Sequence, residues 1–107
     1  MDIRTMQTDA HQTAIDKGWW DDTRPIPECL MLIVSEAAEA MEAYREDQPL
    51  EWYGDGGKPE GISSELADIV IRVGDLAESL GIDLDMAVQT KMHYNDTRPY
   101  RHGGKLA

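Results

Sequence analysis

Apolar residues recur every three to four positions along most of the chain, the period that places them on one face of an α-helix. The first such stretch covers residues 2–17 and is ended by Gly18. The second opens at Pro27 or Glu28, since proline is tolerated in a first helical turn, and ends at residues 47–49. The apolar face of this second helix is formed by Leu30, Ile33, Val34, Ala37, Met41 and Tyr44.

The second half of the chain shows the same period twice. Ser63 or Ser64 is the predicted N-cap of a third helix, which ends at Gly81. Asp83 is a favourable N-cap for a fourth helix over residues 84–95. No segment alternates apolar and polar residues with period two over a useful length. The pattern therefore predicts an all-α protein, a four-helix bundle-like fold.

Residues 49–61 separate the second and third helices and contain four glycines and two prolines, a composition that predicts a loop. A second loop follows the first helix and begins with Trp19 and Trp20. At 107 residues, the chain is predicted to be a single domain spanning residues 1–107. A helical chain this short buries a modest core, which favours oligomerisation.

Charge and composition exclude some functions. The chain has 10 basic and 21 acidic residues and a formal net charge of −11, the opposite of a nucleic-acid-binding surface. No apolar run reaches the roughly 18 residues that span a bilayer, and the polar N-terminus lacks the apolar core of a signal peptide. Cys29 is the single cysteine and cannot form an internal disulfide, which fits a reducing compartment. We expect it to be a small core residue. These features predict a cytoplasmic protein without a membrane or nucleic-acid partner.

Two pairs of acids carry the candidate chemistry. Glu36 and Glu39 are three residues apart in the second helix, and Glu65 and Asp68 are three apart in the third. This spacing puts both carboxylates of a pair on one face of a helix. Four carboxylates at one point would repel each other, and a hard divalent cation such as Mg²⁺ or Mn²⁺ would remove that repulsion.

The spacing alone is weak evidence, because other acids in this acidic chain share it, including Asp75 and Glu78. The position of the two pairs adds more: each flanks an apolar stripe, where a carboxylate loses hydration. The alternative is a solvated acidic face with ion pairs to Arg45 or to Arg72, which lies four residues after Asp68.

Together with its surroundings, this pattern resembles the MazG-like branch of the all-α nucleoside triphosphate pyrophosphatases. That family carries E-x-x-E on one helix and E-x-x-D on the next. The segment Lys17–Trp20 (KGWW), the segment Leu76–Leu84 (LAESLGIDL) and the spaced residues of Lys91–Lys105 (K-x-x-x-N-x-x-R-P-Y-x-H-G-x-K) are typical of short members, including phage-encoded ones. The resemblance covers nearly the whole chain, although the loop over residues 49–61 is longer and richer in glycine than in many relatives.

The resemblance implies a Mg²⁺-dependent (or Mn²⁺-dependent) enzyme that hydrolyses a (deoxy)nucleoside triphosphate to the monophosphate and pyrophosphate. Glu36, Glu39, Glu65 and Asp68 would be the metal ligands. Glu39, together with Glu36, would be the catalytic carboxylates, with Glu39 orienting or deprotonating the attacking water. The family forms dimers and tetramers, so a homo-oligomer, a dimer of dimers, is expected.

The resemblance also implies residues that contact the substrate. Lys91 and Asn95, with Arg98, would contact phosphate or sugar; alternatively, the first two are a surface lysine and a helix C-cap. Arg101 and Lys105 could close over phosphates or belong to a flexible basic end.

The base would stack on Trp19 or Trp20, although one indole could instead fill the small core. Gln12, Asp16 and Lys17 would supply hydrogen bonds to the base. The base stays open, with a lean to a purine such as dGTP or GTP.

Two other functions remain open from the sequence. One is a diphosphohydrolase of the dUTP or dCTP type, which would accept nucleoside diphosphates as well as triphosphates. The other is an acidic helical interaction module that binds a basic partner and performs no chemistry. Turnover of diphosphates would identify the first, and the absence of any response to Mg²⁺ would identify the second.

Overall fold

The structure is a computed structural model that describes residues 1–104 and Leu106, and of His102 only the backbone. It is all-helical apart from one small hairpin, as the sequence pattern predicts. The helices are α1 (Ile3–Asp16), α2 (Ile26–Arg45), α3 (Ile62–Ser79), α4 (Leu84–Asp96) and the short α5 (Arg101–Gly104). Strands β1 (Trp52–Tyr53) and β2 (Pro59–Glu60), with a 3₁₀ turn at Asp55–Gly57, lie between α2 and α3.

The start of α4 is the one that the sequence predicts. The Asp83 side chain accepts a hydrogen bond from the backbone N–H of Met86 at 3.1 Å. Asp2 caps α1 in the same way, accepting from the N–H of Thr5 at 2.7 Å. In both cases a short acidic side chain satisfies an N–H group that has no partner within its own helix.

The predicted serine cap of α3 is wrong. Gly61 occupies the N-cap with a φ of 94°, and no side chain caps the helix. The Ser63 backbone N–H donates instead to the Leu50 carbonyl oxygen at 3.0 Å, and the Ser64 hydroxyl to the Pro59 carbonyl oxygen at 3.1 Å. A Cβ at position 61 would lie only 2.6 Å from the Leu50 oxygen, so this close approach requires glycine.

The segment over residues 49–61 is not entirely a loop, which corrects the sequence prediction. Trp52 pairs with Glu60 and Tyr53 with Pro59 in an antiparallel hairpin. The Trp52 indole N–H donates to the Gln48 side-chain oxygen at 3.0 Å, which ties the hairpin to the end of α2. Strands of two residues are too short for an alternating pattern to reveal them.

Helix α3 lies at the centre, with α2 packed on one side and α1 on the other, while α4 contacts α1. Gly74 lets α1 and α3 approach, since a Cβ there would lie 3.3 Å from the Gln7 Cα and would also displace the Met6 sulfur. Gln7, a buried polar residue of α1, donates to the Ile82 carbonyl oxygen at 2.6 Å and accepts from the Leu84 N–H at 3.2 Å. These contacts fix α1 against the α3–α4 turn.

The core of the described chain is thin. Its buried apolar residues are Cys29, Ala43 and Ala77, and no large side chain in the described part is fully buried. Cys29 is thus a small core residue, as expected. The apolar face of α2 is largely exposed, because α3 covers a different face of that helix. Its large exposed members are Leu30, Val34, Met41 and Tyr44, and Ile26 at the start of α2 extends this exposed face. None of the described helices combines the length and the apolar character needed to cross a membrane.

Candidate metal centre

Three acids of α2 and α3 meet where the two helices pack. Glu36, Glu65 and Asp68 each contribute one carboxylate oxygen to a cluster in which the three atoms lie within 4.8 Å of one another. Glu36 is only 6% exposed, and the other two are half-buried. The i, i+3 spacing of Glu65 and Asp68 turns both carboxylates toward α2.

The ion pair of the cluster crosses between helices. Arg72 Nε donates to Glu36 Oε1 at 3.0 Å, so its partner is on α2 and not the neighbouring Asp68 of its own helix. The second oxygen of Glu36 and one oxygen of Glu65 are buried and accept no hydrogen bond from a nitrogen or hydroxyl donor of the described residues. A hydrogen bond between the carboxyl groups themselves forms only when one of them is protonated. Buried carboxylate oxygens without partners are costly and are found where a ligand or ion completes the site.

The acids do not ionise independently. Burial raises the pKa of Glu65 to about 7, and hydrogen bonding to Glu36 and Glu39 adds to the shift. Burial also opposes ionisation of Glu36, but hydrogen bonds from Glu65 and Arg72 outweigh it and lower the pKa of Glu36. Burial, and then the charge of Glu36, raises the pKa of Asp68. The site therefore resists holding three negative charges unless a cation joins them.

Glu39 occupies a different position from the other three predicted ligands. It is exposed, and it falls outside the group of oxygens that lie within 4.8 Å of one another. It is still close enough to Glu65 for its hydrogen bond and charge to raise the pKa of that carboxyl. The structure thus brings together three of the four predicted ligands and leaves Glu39 at the rim.

A groove of about 750 Å³ adjoins the acids. It runs between α1 and α3, and both Glu36 and Asp68 line it. Its other lining residues include Met6, Ala10, Lys17, Trp19, Arg24 and Ile71. Glu36 and Asp68 thus line one part of the groove together with Arg72, which pairs with Glu36. Another part is lined by Lys17, Trp19 and Arg24, with Asp75 beside Arg24.

The predicted base-binding residues separate into two groups. Trp19 and Lys17 line the groove, and the Trp19 side chain is 64% exposed. Trp20 turns inward, where its indole N–H donates to Asp75 Oδ1 at 2.9 Å. This is the alternative in which one indole packs into the protein.

Gln12 and Asp16 do not line the groove. They are exposed and are joined by a hydrogen bond of 2.9 Å from the Gln12 amide to the Asp16 carboxylate. They lie one helical turn apart on a face of α1 that does not pack on α3, whereas Ala10, Ala14 and Lys17 face the groove.

The residues expected to contact phosphate or sugar are not at the acids within one chain. Lys91 and Asn95 are exposed on α4, and neither these residues nor Arg98 lines the groove. The Lys91 ammonium and the Arg98 guanidinium lie over the Tyr94 ring, at 5.3 and 5.6 Å from its centroid. Helix α4 contacts α1, whereas the acids lie on α2 and α3. Lys105 lies outside the described residues.

Sequence reasoning missed Arg24. This residue of the loop between α1 and α2 lines the groove, and its guanidinium carbon lies 5.0 Å from the Trp20 ring centroid. Its position close after the two tryptophans was the available signal, since arginine commonly stacks on indoles.

Comparison with known proteins adds no relative: the chain matches no family model, no curated protein and no solved structure. The residues, their geometry and the resemblance described above are therefore the support for a function.

Proposed function

We propose that this protein is a MazG-like, Mg²⁺-dependent hydrolase that cleaves a (deoxy)nucleoside triphosphate to its monophosphate and pyrophosphate and so controls a cytoplasmic nucleotide pool. The observation that carries the proposal is the convergence of Glu36, Glu65 and Asp68 beside a groove with room for a nucleotide. The motif resemblance supports the choice of reaction.

The acids fit a hard cation. Carboxylate oxygens are the ligands that Mg²⁺ prefers. One buried oxygen of Glu36 and one of Glu65 accept no hydrogen bond from a nitrogen or hydroxyl donor of the described residues, so both are available as ligand atoms. When bound, Mg²⁺ would neutralise triphosphate charge and lower the pKa of a coordinated water. Because the protein itself carries a net charge of −11, an anionic substrate would otherwise be repelled.

The chain's own residues would accept the proton of the attacking water and bind the phosphates and the base. Glu39, exposed at the rim, can accept a proton from the attacking water. Arg72 lines the groove, and its Nε–H donates to Glu36. Its terminal N–H groups can therefore donate to a phosphate oxygen. Trp19 offers an open indole face to a base. Together these residues bind the substrate and move one proton.

The proposal is tested by incubating the purified protein with each ribo- and deoxynucleoside triphosphate and diphosphate in Mg²⁺, and then identifying the phosphate product. Monophosphate and pyrophosphate are expected from a triphosphate, and no turnover is expected in EDTA. Orthophosphate alone, or no turnover of any nucleotide, would contradict the proposal. Turnover of diphosphates would identify the broader diphosphohydrolase.

We also propose that a second copy of the chain covers the exposed face of α2. That face presents Ile26, Leu30, Val34, Met41 and Tyr44 along the full length of the helix. The buried apolar residues of a single chain are only small ones among those described, so much of the available apolar surface can be buried only between chains. A two-fold interface would bring each α2 against its partner.

Replacing Val34 with Asp should therefore convert the oligomer to smaller species. Val34 is 52% exposed in the single chain, so the fold of the monomer does not require it, but a charge there would be buried in the interface. Light scattering coupled to size exclusion measures the mass. Thr90→Asp, an exposed change on α4, is the matched control and should leave the mass unchanged. A wild-type monomer would contradict this second proposal.

A further inference from the structure

Arg24 is held in an unusual setting at the groove. Its side chain is 13% exposed, and its guanidinium carbon lies 5.0 Å from the Trp20 ring centroid and 5.8 Å from that of Trp19. Its terminal nitrogen stands 3.6 Å from Asp75 Oδ2, longer than a hydrogen bond. The described residues thus orient the guanidinium by stacking and charge, and they leave its N–H donors available to a ligand.

Asp75 is the anchor of this arrangement. Its Oδ1 accepts from the Trp20 indole at 2.9 Å and lies 2.8 Å from His11 Nδ1, while Oδ2 faces Arg24. The Asp75 side chain is itself 13% exposed. Oδ1 already has two hydrogen-bond partners, and the charge on Oδ2 is balanced by the Arg24 guanidinium. The hydrogen-bond donors that this part of the groove offers a ligand are those of Arg24 and of Lys17, which also lines the groove.

The distance along α3 suits a nucleotide. Asp68 and Asp75 both line the groove and are seven residues apart, a rise of roughly 10 Å on an α-helix. Phosphates near Asp68 would leave this length for the sugar and base. The base would then meet the open indole of Trp19 and the donors of Arg24.

We propose that Arg24 is a specificity-determining residue that donates two hydrogen bonds to a base edge carrying two adjacent acceptors, so that guanine and cytosine nucleotides bind better than adenine and thymine nucleotides. Guanine offers O6 with N7, and cytosine offers O2 with N3; the planar fork of arginine matches such pairs. On adenine the 6-amino group, and on thymine N3–H, puts a donor beside the acceptor. The orientation of the nucleotide rests on the proposed function.

The test measures binding and needs no turnover. Calorimetric titration of wild type with dGMP, dCMP, dAMP and dTMP in Mg²⁺ should show about tenfold or greater preference for the first two, the discrimination typical of a bidentate arginine contact. Arg24→Met should bring the four affinities together. Arg24→Lys keeps the charge but not the fork and should lose most of the preference. The comparison of dGMP with dCMP identifies which acceptor edge is bound.

The two proposals fail separately. A protein that hydrolyses no triphosphate but prefers dGMP or dCMP through Arg24 refutes the pyrophosphatase and retains the specificity residue. Equal affinity for the four monophosphates, binding of none, a preference for dAMP or dTMP, or a preference unchanged in both Arg24 variants would overturn the inference. Thermal melts establish that each variant is folded, and the two variants provide independent readings.

Discussion

Replacing Asp68 with Asn should reduce Mg²⁺-dependent nucleotide hydrolysis by about a thousandfold, and Glu36→Gln should do the same, the loss expected when several kcal/mol of metal-dependent stabilisation is removed. Both changes keep the size of the side chain. Each removes one charge from the three carboxylates whose oxygens lie within 4.8 Å. Asp68→Asn is the cleaner change, because Glu36 also accepts a hydrogen bond from Arg72.

Two measurements separate loss of metal from loss of fold. Titration with Mg²⁺ should show weakened binding, while thermal unfolding without metal should show that Asp68→Asn is at least as stable as wild type, since it relieves repulsion with Glu36. Glu42→Gln is the matched control, because Glu42 is an exposed acid of α2 whose ion pair, to Arg45, spans 3.9 Å. Full turnover in both Asp68→Asn and Glu36→Gln would mean that these acids are not the metal centre.

Glu39→Gln gives a different expectation within the same series. Because Glu39 lies outside the close group of oxygens, its replacement should lower kcat while Mg²⁺ affinity changes little. Equal loss of Mg²⁺ affinity in Glu39→Gln and Asp68→Asn would make Glu39 a metal ligand instead of a base at the rim.

Without divalent metal, the protein should become less stable as pH rises from about 4.5 to 7, and Glu65 should be the cause. Burial raises the pKa of Glu65 from 4.5 to about 7 in the folded state. Between these values the folded state holds a proton that the unfolded state releases, so the contribution of Glu65 to stability is full below pH 4.5 and is lost as pH rises to 7. The loss should be on the order of 1–3 kcal/mol, since each unit of pKa shift is about 1.4 kcal/mol and solvent screens part of it.

Denaturant unfolding of wild type and Glu65→Gln across this pH range isolates the effect. The variant should gain stability relative to wild type as pH rises, because glutamine has no proton to lose. Saturating Mg²⁺ should reverse the wild-type trend, since the cation then takes the place of the proton. The lowered pKa of Glu36 acts below pH 4.5, and the raised pKa of Asp68 weakens both proteins as pH rises, so the difference between their profiles reports Glu65. Parallel pH profiles for the two proteins without metal would contradict the assignment to Glu65.

The sequence by itself determined the positions of the four main helices and the shared faces of the acidic pairs on α2 and α3. The three-to-four period identified α1 to α4, and Asp83 identified the start of α4, because a cap and its N–H partner are only three residues apart. The same local geometry placed Glu65 and Asp68 on one face of α3. These features depend on residues within a turn or two of each other, so they can be read along the chain.

Tertiary structure alone decided the features that join distant residues. The N-cap of α3 is Gly61 because the backbone of Leu50 passes close to it, and Arg72 pairs with Glu36 because α2 packs on α3. The inward turn of Trp20 and the placement of Arg24 depend on Asp75, more than 50 residues away. Periodicity states which face of a helix is apolar; the contacts between helices decide which face is covered and which side chains meet.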